Sequence, residues 1–192
     1  MKIVNYIKNK CKLRRLRNSS PEIIYGYTNS EGILLKDTRV SSSTVIENRS
    51  NLIIADNVFV GHHNFIEASN KIFIEEGCQI TNYVSILSHS SHVSIRLYGK
   101  EYRKSTELKG YVKGAVSIGK YTFVGPHSTI MPNTKIGKGC IVGAFSLVAG
   151  DFPDFSIIKG NPAKVVGSTK DMDSEYLNDP ELLKYYNEWA ND

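Results

Sequence analysis

The chain has 192 residues, 41% of them hydrophobic, and a formal net charge of +5 at pH 7. This length allows one domain with its own core, and no stretch approaches the roughly 18 apolar residues of a membrane-spanning helix. The first residues show neither the apolar segment nor the cleavage site of a secretory signal. The three cysteines, an odd number without metal-ligand spacing, favour buried or idle thiols in a reducing cytoplasm over a disulfide framework.

The first predicted element is a basic helical arm over residues 1–20. Residues 1–17 contain seven Lys or Arg residues and no acidic residue. Ile3, Val4, Ile7 and Cys11 fall on one side of this predicted helix. Such an arm could bind nucleic acid, anionic lipid or an acidic substrate, or it could expose its basic face to solvent without a partner.

A six-residue repeat follows in the middle of the chain. The aliphatic residues of its longest run stand six apart and are mostly followed by Gly or Ala: Ile118, Val124, Ile130, Ile136, Val142 and Val148. A second run upstream keeps the same spacing on either side of a two-residue slip: Ile54, Val60 and Ile66, then Ile74, Ile80 and Ile86. Val40 and Ile46 extend this pattern towards the N-terminus.

A period of six is neither the 3.6-residue period of a helix nor the two-residue alternation of a strand. It predicts short strands joined by tight corners, with one aliphatic side chain per hexad pointing inward. Three hexads make one triangular coil, and the coils stack into a β-helix. The strands of a β-sandwich recur at wider intervals, so the sandwich is the weaker interpretation.

Residues 88–115 form a long excursion between the two runs of the repeat. They contain three tyrosines, six Lys or Arg residues and only two acidic residues. Long loops in compact repeat proteins are usually functional or disordered. This loop could cover a cleft and attract an anion, or it could be a solvated lid without substrate contacts.

The last predicted element is an acidic helical segment over residues 171–192, which holds seven acidic residues and one lysine. Asp179 is a candidate N-cap and Pro180 a candidate first helical residue. The larger apolar side chains of this segment are predicted to pack on the coils or on a neighbouring subunit: Leu182, Leu183, Tyr186 and Trp189.

Residues 118–167, IGKYTFVGPHSTIMPNTKIGKGCIVGAFSLVAGDFPDFSIIKGNPAKVVG, resemble the closing coils of the hexapeptide-repeat acyltransferases. The nearest branch is that of the maltose/galactoside and polysaccharide O-acetyltransferases, and the resemblance covers about residues 34–167. It implies a left-handed parallel β-helix, a homotrimer, and active sites in the clefts between subunits. It also implies acetyl-CoA as co-substrate, with no metal and no nucleic-acid partner.

In that branch the catalytic histidine lies where the repeat gives way to the loop, and His89 occupies the matching position. The chemistry suits this residue, because a base near neutrality can take the proton of a sugar hydroxyl as it attacks a thioester. His92 is the rival base, or it orients the sugar. The attack forms an oxyanion, for which Ser88, Ser90, Ser128 and backbone amides are candidate donors.

Two further positions are candidates for acceptor binding. The pair Asn64-Phe65 resembles an asparagine-phenylalanine pair whose asparagine contacts the acceptor in the galactoside branch. Phe123 stands where that branch often has a tryptophan lining the acceptor site, and this departure puts the acceptor's identity in doubt. His127 is expected at a corner of the coil.

The resemblance places coenzyme A along the C-terminal coils. Its pantetheine arm would pass Gly125, Gly143 and Ala144, while Lys159 and Lys164 would meet its phosphates. Tight corners need small residues in any case, so the glycines alone do not establish a coenzyme site.

The leading hypothesis is therefore an acetyl-CoA-dependent sugar O-acetyltransferase in surface polysaccharide or lipopolysaccharide assembly. Its acceptor would be a sugar or a nucleotide- or lipid-linked glycan. We expect it in the cytoplasm, with residues 1–17 touching the inner membrane face. The alternatives are an N-acetyltransferase for amino-sugar nucleotides, a zinc hydratase of the β-helical carbonic anhydrase type, which needs three converging histidines, and a silent trimeric scaffold.

Overall fold

The computed structural model describes residues 7–8, 10–11 and 19–191. Most of the predicted basic arm, and with it the predicted contact of residues 1–17 with a membrane, lies outside the described residues. The chain from residue 34 onward winds into a parallel β-helix of triangular cross-section, which confirms the mainly β prediction. Among the described residues no helix is long and apolar enough to cross a membrane.

Three sheets form the faces of this prism, and each coil contributes one short strand to each face. Sheet 1 has its longest strands at its two ends. It comprises β1 (Ile23–Thr28), β2 (Leu34–Ser41), β5 (Phe59–Val60), β8 (Gln79–Ile80), β13 (Phe123–Val124), β16 (Ile141–Val142), β19 (Ser156–Gly160) and β20 (Ala163–Ser168). Sheet 2 comprises β3 (Val45–Glu47), β6 (Phe65–Glu67), β9 (Ser85–Leu87), β14 (Thr129–Ile130) and β17 (Leu147–Val148). Sheet 3 comprises β4 (Leu52–Ile54), β7 (Ile72–Ile74), β12 (Val116–Ile118), β15 (Lys135–Ile136) and β18 (Asp151–Phe152).

The hexad residues fill the interior of the prism. In sheet 1 the parallel register places Val60, Ile80, Val124 and Val142 in one column, and each is at most 1% exposed. Corresponding columns of buried aliphatic residues run under sheets 2 and 3. Burial of these side chains is the main stabilising contribution to the coil, since each contributes about 1.5–3 kcal/mol.

Antiparallel hairpins close both ends of sheet 1. Strands β1 and β2 pair at the N-terminal end, and β19 and β20 pair at the C-terminal end. The excursion between the two runs contains the helix α1 (Ser94–Tyr98), the 3-10 turn Gly99–Glu101, and a two-stranded ribbon of β10 (His89–Ser90) and β11 (Val112–Lys113).

After β20 the chain forms the helices α2 (Thr169–Asp173) and α3 (Pro180–Ala190), with a 3-10 turn at Tyr176–Asn178 between them. A second 3-10 turn, Arg49–Asn51, precedes β4. Asp179 caps α3 by accepting a hydrogen bond from the Glu181 amide, and Pro180 opens the helix, as its sequence predicted.

The helix α3 packs on the corner between sheets 3 and 1. The Trp189 ring lies 4.7 Å from that of Tyr121 and 5.8 Å from that of Phe155, between their centroids. Gly139 leaves room for this contact, because a Cβ there would lie 2.8 Å from the Phe155 ring. Leu182 and Leu183, which were also predicted to pack, remain 46% and 39% exposed in the single chain.

The corner between sheets 1 and 2 carries a column of stacked rings. His63, Tyr83, His127 and Phe145 follow one another at 4.8–5.1 Å, each from a residue with φ near +57° to +59°. Each ring therefore covers the strained corner of the neighbouring coil. His127 is a corner residue, as its sequence context indicated.

Candidate active site

The candidate site lies at the corner between sheets 2 and 3, where the loop 88–115 leaves the prism. In the first coils this corner is two residues longer than elsewhere, since Ile66 and Ile74 stand eight apart while Ile130 and Ile136 stand six apart. The extra residues follow β6 and lie beside the end of β9 on the next coil. The two-residue slip in the repeat therefore corresponds to the widened corner beside His89.

His89 meets an acidic side chain from the preceding coil. Its Nδ1 lies 2.6 Å from Oε2 of Glu67, at the end of β6. The Glu67 side chain is 4% exposed and that of His89 is 33% exposed, so a buried carboxylate faces a ring that reaches the surface. The parallel register pairs Glu67 with Leu87, which places His89 just beyond the same corner.

Hydrogen bonds hold the Glu67 carboxylate from several sides. The Ser69 amide donates to Oε1 at 2.9 Å, and the Ser88 hydroxyl donates to Oε2 at 2.9 Å. Burial by itself would raise the pKa of this carboxyl, but the bonds from Ser69, Ser88 and His89 lower that pKa to about 2. Glu67 is therefore an anion at neutral pH.

The charge on Glu67 fixes the tautomer of His89. A carboxylate can only accept hydrogen bonds, so the proton of the neutral imidazole is on Nδ1. Nε2 then carries a lone pair and is the nitrogen that can take a proton from another molecule. This arrangement is that of a general base oriented by a carboxylate.

The loop 88–115 holds the imidazole ring from one side. Tyr111 stacks on His89 with 5.4 Å between ring centroids and 11° between planes. Pairing of β10 with β11 places His89 opposite Lys113, so both ends of the loop are anchored at the site. Burial, followed by the charges of Tyr102 and Glu67, raises the pKa of Tyr111. Tyr111 therefore stays a neutral phenol that positions the ring.

The structure separates the other polar candidates of this region. The hydroxyl of Ser88 is fully buried and donates to Glu67, so it is not free to serve as an oxyanion donor. The hydroxyl of Ser128 is likewise buried and donates to the Gly143 carbonyl. His92 is exposed on the loop, with Nδ1 2.8 Å from the Ser90 hydroxyl, and it does not contact Glu67.

Asn64 and Phe123 lie away from His89 in the single chain. Asn64 is 1% exposed, donates to the Gly61 carbonyl and accepts from the Val84 amide at 2.7 Å. Its amide thus joins two successive coils and is buried in the single chain. Phe123 is 39% exposed on the outer face of sheet 1.

The predicted donor-binding residues come together at the corner between sheets 1 and 2. A Cβ on Gly125 would lie 2.7 Å from the Ala144 amide nitrogen, and one on Gly143 would meet the side chain of Lys159. Lys159 and Lys164 face each other across the β19–β20 hairpin, and both are exposed. Two like charges in one cross-strand pair repel each other, and a bound anion reduces this repulsion.

No group of three or more His, Cys, Asp or Glu side chains in residues 19–191 is placed to hold a metal ion. The zinc-hydratase alternative therefore has no ligand set in that part of the chain. Cys78 and Cys140 are free and buried in the prism, and burial raises the pKa of both thiols, that of Cys78 to about 12.

Comparison with known sequences locates the repeat. Residues 115–150 match the family model described as bacterial transferase hexapeptide (six repeats). A Saccharomyces cerevisiae relative named as an acetyltransferase is 31% identical over 131 residues, which are 67% of this chain and 62% of that protein. The repeat of this chain is that of the bacterial hexapeptide transferases. A Staphylococcus aureus relative, also named as an acetyltransferase, is 44% identical over 73 residues, 37% of each chain.

Solved structures of this family share the fold. A hexapeptide-repeat acetyltransferase from Vibrio cholerae aligns with a TM-score of 0.59 at 21% identity, over 69% of this chain and 70% of that one. The N-acyltransferase AntD from Bacillus cereus aligns with a TM-score of 0.59 at 21% identity, over 79% of this chain and 89% of the AntD chain. A maltose O-acetyltransferase from Clostridium difficile aligns with a TM-score of 0.57 at 21% identity, over 66% of this chain and 64% of that one. The chain spans less than two thirds of the length of the curated relatives described above.

Sequence reasoning missed Glu67, Ser69 and Tyr111. Glu67 precedes His89 by 22 residues, and only the coil brings the two together. The two-residue slip directly after Ile66 was the available signal, because extra residues at one corner mark a local departure from the regular coil.

Proposed function

We propose that this protein transfers an acetyl group from acetyl-CoA to a sugar hydroxyl, with His89 as the general base and Glu67 as its positioning partner. The observation that carries the proposal is the 2.6 Å contact between His89 Nδ1 and a Glu67 carboxylate whose pKa is about 2. The family relatives named as acetyltransferases support the reaction class.

The reaction follows from the free lone pair on His89 Nε2. Nε2 takes the proton of the acceptor hydroxyl while its oxygen attacks the thioester carbonyl carbon. Glu67 stabilises the imidazolium that forms, because the carboxylate is 2.6 Å from Nδ1. The tetrahedral intermediate then breaks its carbon–sulfur bond, and the imidazolium returns the proton to the departing thiolate. The products are an acetyl ester and the free thiol of CoA.

Donor binding is assigned to the corner between sheets 1 and 2. An extended pantetheine arm would run along this corner past Gly125 and Gly143, and Lys159 with Lys164 offers two cations to its phosphates. A Vibrio cholerae acetyltransferase with this fold has been solved with acetyl coenzyme A, which supports the donor. His89 lies at another edge of the prism, so we propose that a homotrimer brings the two edges together in a cleft between subunits.

One competing acceptor class is favoured by a specific likeness. AntD is an N-acyltransferase that was solved in complex with dTDP and 3-hydroxybutyryl-CoA, and the alignment with this protein covers 89% of the AntD chain. An amine acceptor on a nucleotide-linked sugar is therefore the second candidate. An amine is already nucleophilic when unprotonated, so it needs less assistance from His89 than a hydroxyl does.

The proposal is tested by thiol release from acetyl-CoA, with the full chain and a panel of sugars and amino sugars. We expect turnover with a hydroxyl acceptor, and a loss of about 10²–10⁴-fold in kcat in His89→Ala. His92→Ala, a histidine three residues away, is the matched control and retains activity. Amino-sugar turnover that survives His89→Ala would instead establish the N-acyltransferase, and absence of any CoA binding would overturn both.

The cellular setting extends the same proposal. Acetylation of a surface polysaccharide or lipopolysaccharide precursor in the cytoplasm would use acetyl-CoA where it is made. The basic loop, with six Lys or Arg residues against two acids, suits an acceptor that carries a phosphate. The arm over residues 1–17 would hold the enzyme at the inner membrane face, and its removal should abolish co-sedimentation with anionic vesicles.

A further inference from the structure

Lys113 lies beside His89 on the two-stranded ribbon at the base of the loop 88–115. The register of β10 and β11 places the two residues directly opposite each other. The Gly114 amide donates to the Ser88 carbonyl at 3.0 Å, which makes His89 and Lys113 a non-hydrogen-bonded pair of the ribbon. In such a pair the Cα atoms are only about 4.5 Å apart, and both side chains project from the same face.

The position of Tyr111 identifies this face as the one that carries the imidazole. Tyr111, two residues before Lys113, stacks on His89 with 5.4 Å between ring centroids. Side chains two residues apart in an extended strand project from the same face. Lys113 and Tyr111 therefore both flank the imidazole, and the flexible four-carbon stem of Lys113 brings its ammonium within reach of the atoms that react at Nε2.

The charge of Lys113 is not used by the protein itself in the part of the chain that the structure describes. Its carbonyl accepts a hydrogen bond from the Asn133 side chain at 3.3 Å. Its ammonium makes neither a hydrogen bond nor an ion pair within residues 19–191. Lys113 is also exposed, so this cation faces the solution from which substrates arrive.

The proposed reaction creates a negative charge that no serine hydroxyl near His89 is placed to meet. Attack on the thioester turns its carbonyl oxygen into an oxyanion, which needs a hydrogen-bond donor. Ser88 and Ser128 already donate their hydroxyl protons within the prism. The Ser90 hydroxyl lies 2.8 Å from His92 Nδ1, and because Ser90 is next to His89 in β10, its side chain projects from the opposite face.

The charge balance of the site favours a cation for this role. Before the reaction, the negative charge of Glu67 and the positive charge of Lys113 sum to zero around a neutral imidazole. In the tetrahedral intermediate the imidazolium pairs with Glu67, and a second negative charge appears on the former carbonyl oxygen. Lys113 supplies the matching positive charge, so the site stays neutral throughout the reaction.

We propose that Lys113 is a catalytic residue whose ammonium donates a hydrogen bond to the oxyanion of the tetrahedral intermediate. This inference rests on the proposed function, because it requires the attack assisted by His89. As the acceptor hydroxyl gives its proton to Nε2 and its oxygen bonds to the carbonyl carbon, the π electrons of the carbonyl move onto the oxygen that meets Lys113. When the carbon–sulfur bond breaks, the carbonyl forms again and the imidazolium gives its proton to the thiolate. Lys113 keeps its own protons in both steps.

Steady-state thiol release by the full chain tests this role. Lys113→Ala should lower kcat by about 10²–10³-fold and leave KM for both substrates nearly unchanged, because the lost hydrogen bond exists only once the oxyanion has formed. Lys113→Arg keeps the charge and the N–H donors and should recover a large part of kcat. Lys184→Ala, an exposed lysine of α3, is the matched control for net charge and should retain the wild-type kcat.

Chemical rescue separates the ammonium from a structural role. Ethylammonium chloride should raise kcat of Lys113→Ala in a saturable way, and sodium chloride at the same concentration should not. The rescued thiol release should require the sugar acceptor, since ethylamine that was itself acetylated would release thiol without the sugar. A Lys113→Ala variant with the wild-type kcat would overturn the proposal and assign the oxyanion to backbone amides. An increase of the acceptor KM at unchanged kcat would also overturn it and make Lys113 an acceptor-binding residue.

The same measurements distinguish a failure of this inference from a failure of the proposed function. A wild-type protein that releases no thiol with any acceptor in the panel overturns both. A wild-type protein whose turnover depends on His89, together with a fully active Lys113→Ala variant, overturns the role of Lys113 alone.

Discussion

Oε2 of Glu67 lies 2.6 Å from Nδ1 of His89, across the gap between two successive coils of the β-helix. The carboxylate is on the last residue of β6 and is buried, and the imidazole is on the first residue of β10, where the loop 88–115 begins. The stacking of the coils thus joins a fixed charge to a base at the surface.

Glu67→Gln should lower kcat by about 10²-fold or more while KM for acetyl-CoA stays unchanged. The glutamine amide can donate to Nδ1, which favours the tautomer with its proton on Nε2, and that tautomer cannot act as a base. The measurement is steady-state thiol release with the acceptor found in the panel. Glu47→Gln is the matched control, because Glu47 pairs with Glu67 in the register but is exposed. A comparable loss in Glu47→Gln would contradict a specific role for Glu67.

Glu67 should also make stability depend on pH in a defined window. Its pKa falls from about 4.5 to about 2 on folding, so its ionised form stabilises the native state above pH 4.5. That contribution, on the order of 3 kcal/mol, should be lost as the pH falls from 4.5 to 2.

Urea denaturation of wild type and Glu67→Gln at a fixed protein concentration checks this expectation. The difference in free energy of unfolding between the two proteins should be constant above pH 4.5 and shrink below it. A difference that is independent of pH from 2 to 7 would show that Glu67 does not titrate as described.

Lys159→Ala and Lys164→Ala should each raise KM for acetyl-CoA by about tenfold, with kcat nearly unchanged. The two ammonium groups form one cross-strand pair, and removal of either weakens the attraction for phosphate. Added salt should raise the wild-type KM more than that of the variants, because it screens the same charges. Lys135→Ala, an exposed lysine on sheet 3, is the control. An equal effect of all three substitutions would assign the change to net charge alone.

Asn64→Leu should destabilise the fold without changing KM for the acceptor. The substitution leaves the Val84 amide and the Gly61 carbonyl without their partner, at a cost of about 2–4 kcal/mol. Thermal unfolding measures the loss, and kinetics well below the transition measure the acceptor KM. A raised KM with unchanged stability would instead support acceptor binding by Asn64.

Much of the prism could be predicted from the six-residue spacing, because each hexad residue must point inward for the coil to close. The aliphatic residues of both runs are buried as their spacing required, and the loop leaves the coil where the spacing ends. The position of His89 beside that exit could also be read from the sequence, with the family resemblance as guide.

The partners of His89 could not be predicted in the same way. Glu67 and Tyr111 lie 22 residues before and after it, and neither distance is a multiple of the hexad. The hydrogen bonds of Asn64 between two coils could not be predicted either, because an amide that bridges two coils has the same sequence context as one that faces a ligand. The packing of Trp189 in α3 on the coil could not be predicted either, because the hydrophobic pattern of the helix fits contact with the coils and contact with a neighbouring subunit equally.

The most direct test of the account is a double-mutant cycle on kcat with wild type, His89→Ala, Glu67→Gln and the double variant. Because Glu67 acts through His89, we expect the double variant to be no slower than His89→Ala alone. If the two losses multiply instead, Glu67 acts independently of the imidazole, and the carboxylate-oriented base proposed for this protein is contradicted.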